Sequence, residues 1–187
     1  PPYGGSASPE IISEIEAYIA NIGPAEKIPT MPIDHAEEIG LLEKIDPEPT
    51  YLNHIAQMVN LNRIRTAGLI IAVDSMDGAG SKYFAKLMEG GTSNVVELRS
   101  EHDPNFPDMI QPEPIKKNLG PLIDFMEGSN FDVGLATDGD ADRLGLIDED
   151  GNYISTLHAF SLICKHLLEN LEMKGPIIKS VTMTNII

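Results

Sequence analysis

Hydrophobic positions in this chain recur with two periods, and the first to appear is helical. Ile11, Ile15, Tyr18 and Ile19 fall at helical spacing. Ser8 is placed to cap that helix, with Pro9 at its first position and Glu10 facing the positive end of the dipole. Asn21-Ile22-Gly23-Pro24 stops it. An isolated helix of this length is marginal in water, so it is expected to pack on a neighbour. Residues 24–49 hold five prolines, many acids and little periodicity beyond a short turn at 36–43, and they read as an interdomain linker.

From Thr50 the pattern becomes that of a compact unit. Leu52, Ile55, Met58, Val59 and Ile64 predict one helix ending before Gly68. Residues 69–73 are a continuous apolar run, the mark of a strand covered on both faces. A corner, Asp74-Ser75-Met76-Asp77-Gly78-Ala79-Gly80-Ser81, leads into a helix carrying Tyr83, Phe84, Leu87 and Met88, and then a strand at 94–98. A crossover of that kind requires parallel pairing with a right-handed connection. The two glycines of the corner either turn the chain tightly or present backbone N–H groups to an anion. They match neither nucleotide-binding fingerprint, because Tyr83 holds the third glycine position and no Gly-Lys-Ser/Thr follows.

A proline-rich loop comes next, with Pro104, Pro107, Pro112 and Pro114 fixing an extended path that either serves function or wraps the sheet edge. Ile115, Leu119, Leu122 and Met126 stripe a helix ending near Gly128. Strands follow at 131–136 and 144–148, too close in sequence to be parallel to each other. Asp150-Gly151 is a hairpin turn, with Tyr153-Ile154-Ser155 as a short return. A helix over 157–171 and a strand over 177–182 would open another α/β unit, in which the chain stops. The expected fold class is α/β, a three-layer α/β/α unit with a four-stranded mixed sheet. Three strands are parallel and the last is antiparallel, with pieces of neighbouring similar domains on either side.

The chemistry concentrates at the carboxyl end of the third strand, in Asp138-Gly139-Asp140-Ala141-Asp142-Arg143. Open α/β sheets place their ligands at that end. Three alternating carboxylates repel one another unless something positive sits among them. Their hard oxygens select Mg²⁺, Mn²⁺ or Ca²⁺ over zinc. The planar fork of Arg143 suits a phosphate beside such a metal. A plain solvated turn has no need of the strict alternation.

Composition narrows the partners. The 187 residues carry a formal charge of −16, which argues against nucleic acid or an anionic membrane surface. A phosphorylated small ligand remains compatible, because a metal and one Arg reverse the potential locally. A single cysteine, Cys164, excludes internal disulfides; no apolar stretch reaches membrane-spanning length, and the cytoplasm is the default compartment. His54, His158 and His166 show no metal-site spacing and read as surface or packing residues.

The turn 138–143 resembles the metal-binding loop of the α-D-phosphohexomutases, the phosphoglucomutase/phosphomannomutase family. The likeness extends along the chain in the family's order. Gly4-Gly-Ser-Ala-Ser-Pro-Glu10 looks like the close of the family's first domain, and Val73-Asp-Ser-Met-Asp-Gly-Ala-Gly80 like the first corner of its second. Asn105-Phe-Pro107, Pro112-Glu-Pro114 and Asn118-Leu119 look like the loop and helix before the metal strand.

The resemblance implies an enzyme of four domains. Residues 1–30 would end domain I, 31–49 would be a linker, 50–156 domain II, and 157–187 the start of domain III. It implies Mg²⁺ on Asp138, Asp140 and Asp142, with Arg143 on the phosphate of a phosphoserine. The activity implied is transfer of a phosphoryl group between the 1- and 6-positions of a phosphosugar through a bisphosphate, or the 1- and 5-positions in pentose relatives. The partners implied are the phosphosugar and the remaining domains of the same enzyme. No serine here lies in the family's Thr-Ala-Ser-His-Asn-Pro motif, so these residues alone are expected to be inactive.

Two other classes compete. Asp138, Asp140, Asp142 and Glu149 fall at positions one, three, five and twelve of a calcium loop, but position six is Arg143 instead of Gly and the flanks read as strands. A non-catalytic binding relative would have no reason to keep three clustered carboxylates.

Overall fold

The computed structural model describes residues 4–23, 28–107 and 109–180. The chain divides into two compact units, Pro1–Pro47 and Glu48–Ile187. In the first, α1 (Pro9–Ile22) forms where the pattern predicts it, with Ser8 in extended conformation before Pro9. The Ser8 side chain does not cap the backbone. It bonds the Glu10 carboxylate, drawing that group below its ordinary pKa. The apolar stripe buries no residue; Ile15 and Ile19 stay exposed. The proline-rich stretch after it contains α2 (Ile33–Glu38).

The second unit starts with α3 (Glu48–Met58) and α4 (Leu61–Arg65). The sequence predicts one helix here, and Asn60 is the reason for two. Its side-chain oxygen accepts the Arg63 N–H at 3.1 Å, capping a new helix in a new direction. Then come β1 (Ile70–Asp74), α5 (Tyr83–Met88) and β2 (Asn94–Leu98). After the proline-rich loop, a 3₁₀ turn at Lys116–Asn118 precedes α6 (Gly120–Met126), which opens with Pro121 in its first turn. The remaining strands are β3 (Val133–Thr137), β4 (Leu144–Ile147) and β5 (Tyr153–Ile154).

The sheet order is β2-β1-β3-β4-β5. β1 pairs in parallel with β2 and β3, whereas β4 runs antiparallel to β3. The expected four strands are therefore five. Tyr153 and Ile154 do more than return the chain: the hairpin after β4 brings them into register with Ile147 and Leu146. At the other end, residues 177–180 form no strand, and Val181 and Thr182 lie outside the described residues. The helix predicted over 157–171 is α7 (Thr156–Lys165) followed by a π turn, His166–Asn170.

Apolar residues cover the sheet on both faces. On one, Ala72, Ala136 and Ile147 pack with Leu119, just before α6, and with Leu122 and Met126 from it. On the other, Ile71 and Val73 pack with Met88 and Phe84 of α5 and Ile64 of α4. Each such buried aliphatic side chain contributes about 1.5–3 kcal/mol relative to exposure. These layers hold the carboxyl ends of β1 and β3 rigidly side by side, with Asp74 in register with Ala136. No helix among the described residues is long and apolar enough to cross a membrane.

Candidate metal centre

Asp138 is the first residue after β3 and is 1% exposed. Its Oδ1 accepts the backbone N–H groups of Asp142 at 2.8 Å and Arg143 at 3.0 Å, so the turn folds around one carboxylate oxygen. Ala141 takes φ 60° to close the turn, an uncommon conformation for a residue with a Cβ. The other oxygen, Oδ2, is buried and no hydrogen-bond donor is aligned on it. Arg143 Nε stands 2.8 Å away, close enough for charge attraction but outside hydrogen-bond geometry. Arg143 offsets the charge of this buried oxygen without satisfying its lone pairs, and a metal cation seated on them would do so.

Asp140 and Asp142 are exposed, yet Asp138, Asp140 and Asp142 can each offer an oxygen within 4.8 Å of the others. Among the described residues this is the one group of three or more His, Cys, Asp or Glu side chains with such geometry. The donor set, all oxygen, fits Mg²⁺ or Mn²⁺. Strands β3 and β4 flank the turn, which removes the helix–loop–helix frame of a calcium loop.

Arg143 touches three carboxylates. Its Nη1 donates to Glu113 Oε1 at 2.7 Å, and its Nε lies 3.3 Å from Asp142 Oδ1 in addition to Asp138. The bond to Glu113, and after it that to Asp142, raises the guanidinium pKa above its ordinary value. The side chain is 53% exposed, so a charged ligand can still reach it.

Two neighbours that the sequence left ambiguous hold the turn in place. The Gly78-Ala79-Gly80 corner packs on it directly: Ala79 N–H donates to Gly139 O at 2.9 Å. A Cβ on Gly78 would lie 2.6 Å from that same oxygen. Gly78 and Gly80 are absent from the left-handed backbone positions, so close approach explains them better than tight turning. From the other side comes the proline-rich loop. Gly139 N–H donates to Pro112 O at 3.0 Å, and a Cβ on Gly139 would lie 2.8 Å from the Pro112 ring and 3.0 Å from that of Phe106. Gly139 is thus squeezed between two loops.

That loop is itself anchored. Arg99 pairs through Nε (2.9 Å) and Nη2 with both oxygens of Asp74, which is fully buried at the end of β1. Met76 N–H adds a third bond to Asp74 at 3.0 Å. Arg99 Nη2 also reaches Asn118 O at 3.2 Å, and Asn118 Nδ2 donates to Gln111 O and Glu113 O, each at 2.9 Å. Asp138, Asp140, Asp142 and Arg143 lie together as the sequence predicts, whereas the roles of Glu113, Asn118 and the Asp74–Arg99 pair at the site were not predicted. Pro112-Glu113-Pro114 was a visible signal, a carboxylate fixed between two prolines, though its target lies thirty residues on.

Comparison with known proteins bears on the fold and the family. The family described as phosphoglucomutase/phosphomannomutase, alpha/beta/alpha domain II, matches residues 49–151. The "Probable phosphoglucosamine mutase" of Thermococcus gammatolerans is 33% identical over 178 residues, 95% of this chain and 36% of that protein. A phosphoglucomutase of Neisseria gonorrhoeae is 39% identical over 120 residues, 64% of this chain and 25% of that protein. The crystal structure of a phosphoglucomutase/phosphomannomutase family protein from Burkholderia thailandensis superposes with a TM-score of 0.58 at 27% identity. It covers 69% of this chain and 27% of that one. The chain therefore spans from a quarter to just over a third of the curated relatives it matches.

Proposed function

Because this chain belongs to the phosphoglucomutase/phosphomannomutase family, we propose that it carries the metal turn of a phosphohexomutase that interconverts sugar 1-phosphates and 6-phosphates. In this reading residues 1–30 close domain I, 31–49 link, 50–156 are domain II and 157–187 open domain III. The phosphoryl group travels through a phosphoserine contributed from outside these residues and a sugar bisphosphate. The observation that carries the reading is the buried, donor-less Oδ2 of Asp138, with carboxylate oxygens of Asp140 and Asp142 beside it.

Asp138, Asp140 and Asp142 would hold Mg²⁺. When bound, the ion supplies Lewis-acid stabilisation of charge on a transferring phosphoryl group. The chain's own residues do the positioning. Asp138 Oδ1 orders the backbone of the turn, Gly78, Ala79 and Pro112 fix its place, and Arg143 offers a planar cation to a phosphate at its rim. The substrate is a phosphosugar; the relatives' names span glucose, mannose and glucosamine phosphates, and a pentose phosphate is the alternative.

The test is Asp140→Asn in the intact enzyme. This change removes one ligand charge and keeps the shape. Mutase activity is expected to fall by at least about a hundredfold, with the thermal midpoint unchanged or raised, since one repelling charge is gone. Near-normal activity at ordinary Mg²⁺ would show that the carboxylate turn is not the catalytic metal site.

A further inference from the structure

We propose that Glu113 is a positioning residue for Arg143, holding the guanidinium by Nη1 so that it meets the metal ligands through Nε alone and does not clamp them side-on through Nε and Nη2; this rests on the reading of Asp138, Asp140 and Asp142 as ligands. Arg143 faces three carboxylates, and its shortest contact is with Glu113, at 2.7 Å. Side-on pairing through Nε and Nη2 is a usual geometry for an arginine on a carboxylate. Left to itself, Arg143 would pair in that way with Asp138 or Asp142 and compete with any cation for their oxygens. Glu113 sets the rotation of the fork instead. Nη1 is engaged by Glu113, Nε donates to Asp142 Oδ1 at 3.3 Å and lies 2.8 Å from Asp138 Oδ2, and no hydrogen bond from Nη2 is made among the described residues.

Glu113 can impose this because its backbone does not yield. Prolines flank it on both sides. Asn118 Nδ2 ties down its carbonyl and that of Gln111, and Arg99, locked on buried Asp74, ties down Asn118. Pro112 O is bonded in turn to Gly139 of the metal turn. The carboxylate of Glu113 and the acidic turn are therefore held at a set separation, and Arg143 spans it. The Glu113 side chain is 30% exposed, less than Arg143 at 53%, as suits an anchor for a more mobile group.

The experiment is a Mn²⁺ titration of this chain, read by electron paramagnetic resonance, for wild type, Glu113→Gln, Glu113→Asp and Asp140→Asn. Glu113→Asp keeps the charge but is one methylene too short to hold Nη1 from the same backbone. Both Glu113 variants are expected to weaken Mn²⁺ binding by about fivefold, the scale of a partly exposed ion pair. Wild-type affinity in Glu113→Asp would overturn the proposal, since charge alone would then account for the effect. Asp140→Asn reports on the ligand reading separately, with a larger loss expected. Should Mn²⁺ bind Asp140→Asn like wild type, the ligand reading fails and the role of Glu113 is decided by the Arg143 Nε–Hε resonance. That signal is expected to be dispersed in wild type and to collapse toward the exposed-arginine position in both Glu113 variants. An unmoved signal would overturn the proposal.

Discussion

Asp138 and Asp148 each follow directly on a strand, β3 and β4, and each accepts two backbone N–H groups on Oδ1. The difference lies in the second oxygen. Asp148 Oδ2 accepts Asn152 Nδ2 at 3.1 Å, so the hairpin closes on itself and both oxygens of Asp148 are bonded. Asp138 Oδ2 is buried without an aligned donor, and the two carboxylates nearest to it are exposed and alternate along the turn. Both segments are acidic turns by composition. What separates the structural turn from the binding one is whether the turn satisfies both oxygens of the carboxylate that ends its strand. In the first the acid is a builder of the loop; in the second one oxygen builds and the others wait.

Substitution at Gly78 should break the contrast most severely. A Cβ there meets Gly139 O at 2.6 Å and Gly139 Cα at 2.8 Å, backbone atoms that have no rotamer to yield. Gly78→Ala is expected to destabilise the fold by about 1–3 kcal/mol and to displace the metal turn, seen as a lower thermal midpoint together with loss of Mn²⁺ binding. No equivalent contact backs the Asp148 hairpin: a Cβ on Gly151 meets its nearest atom at 3.9 Å.

Arg143→Lys should have the next largest effect, and it separates phosphate handling from metal handling. Lysine keeps the charge but cannot hold Glu113 and face a phosphate with one planar group. Turnover of the intact enzyme is expected to fall by about tenfold or more, with Mg²⁺ affinity changed by less. Equal losses in both would place Arg143 in the metal site alone.

The smallest effect belongs to the hairpin and depends on pH. Backbone bonding from Asn152, opposed by some desolvation and aided by the Asn152 side chain and Asp150, holds Asp148 below its ordinary value of 3.8. A depressed folded-state pKa means that the ionised form stabilises the fold above the unfolded value. That contribution is lost as pH falls below 3.8 and through the folded value. Asp148→Asn should therefore lower the thermal midpoint slightly at pH 7 and flatten its decline as pH falls below 3.8. An unchanged acid limb would show that the hairpin carboxylate does not report on folding.

Much of this contrast was legible in the chain. The continuous run before Asp74, the alternation in 138–143 and the short β3–β4 connection follow from local pattern and from what a short connection permits. What escaped depends on distance. Asn60 splitting a predicted helix is local, but its cap competes with an apolar spacing that remained intact across it. The fifth strand is only two residues long, too short for a period to show. The role of Gly78 needs Gly139 as a partner, and that of Glu113 needs Arg143, each a contact across one or two strands. Single-sequence patterning sees what a residue prefers, and not what the fold brings against it.

On this reading the turn at Asp138 takes a divalent cation and the turn at Asp148 does not. The difference is measured by the thermal midpoint of the chain with and without saturating Mg²⁺, in wild type, Asp140→Asn and Asp148→Asn. A ligand at about a hundred times its dissociation constant adds about 2.7 kcal/mol to the folded state. The account predicts a Mg²⁺-dependent rise in wild type and in Asp148→Asn, and none in Asp140→Asn. A rise that survives in Asp140→Asn, or that is lost in Asp148→Asn, would contradict it.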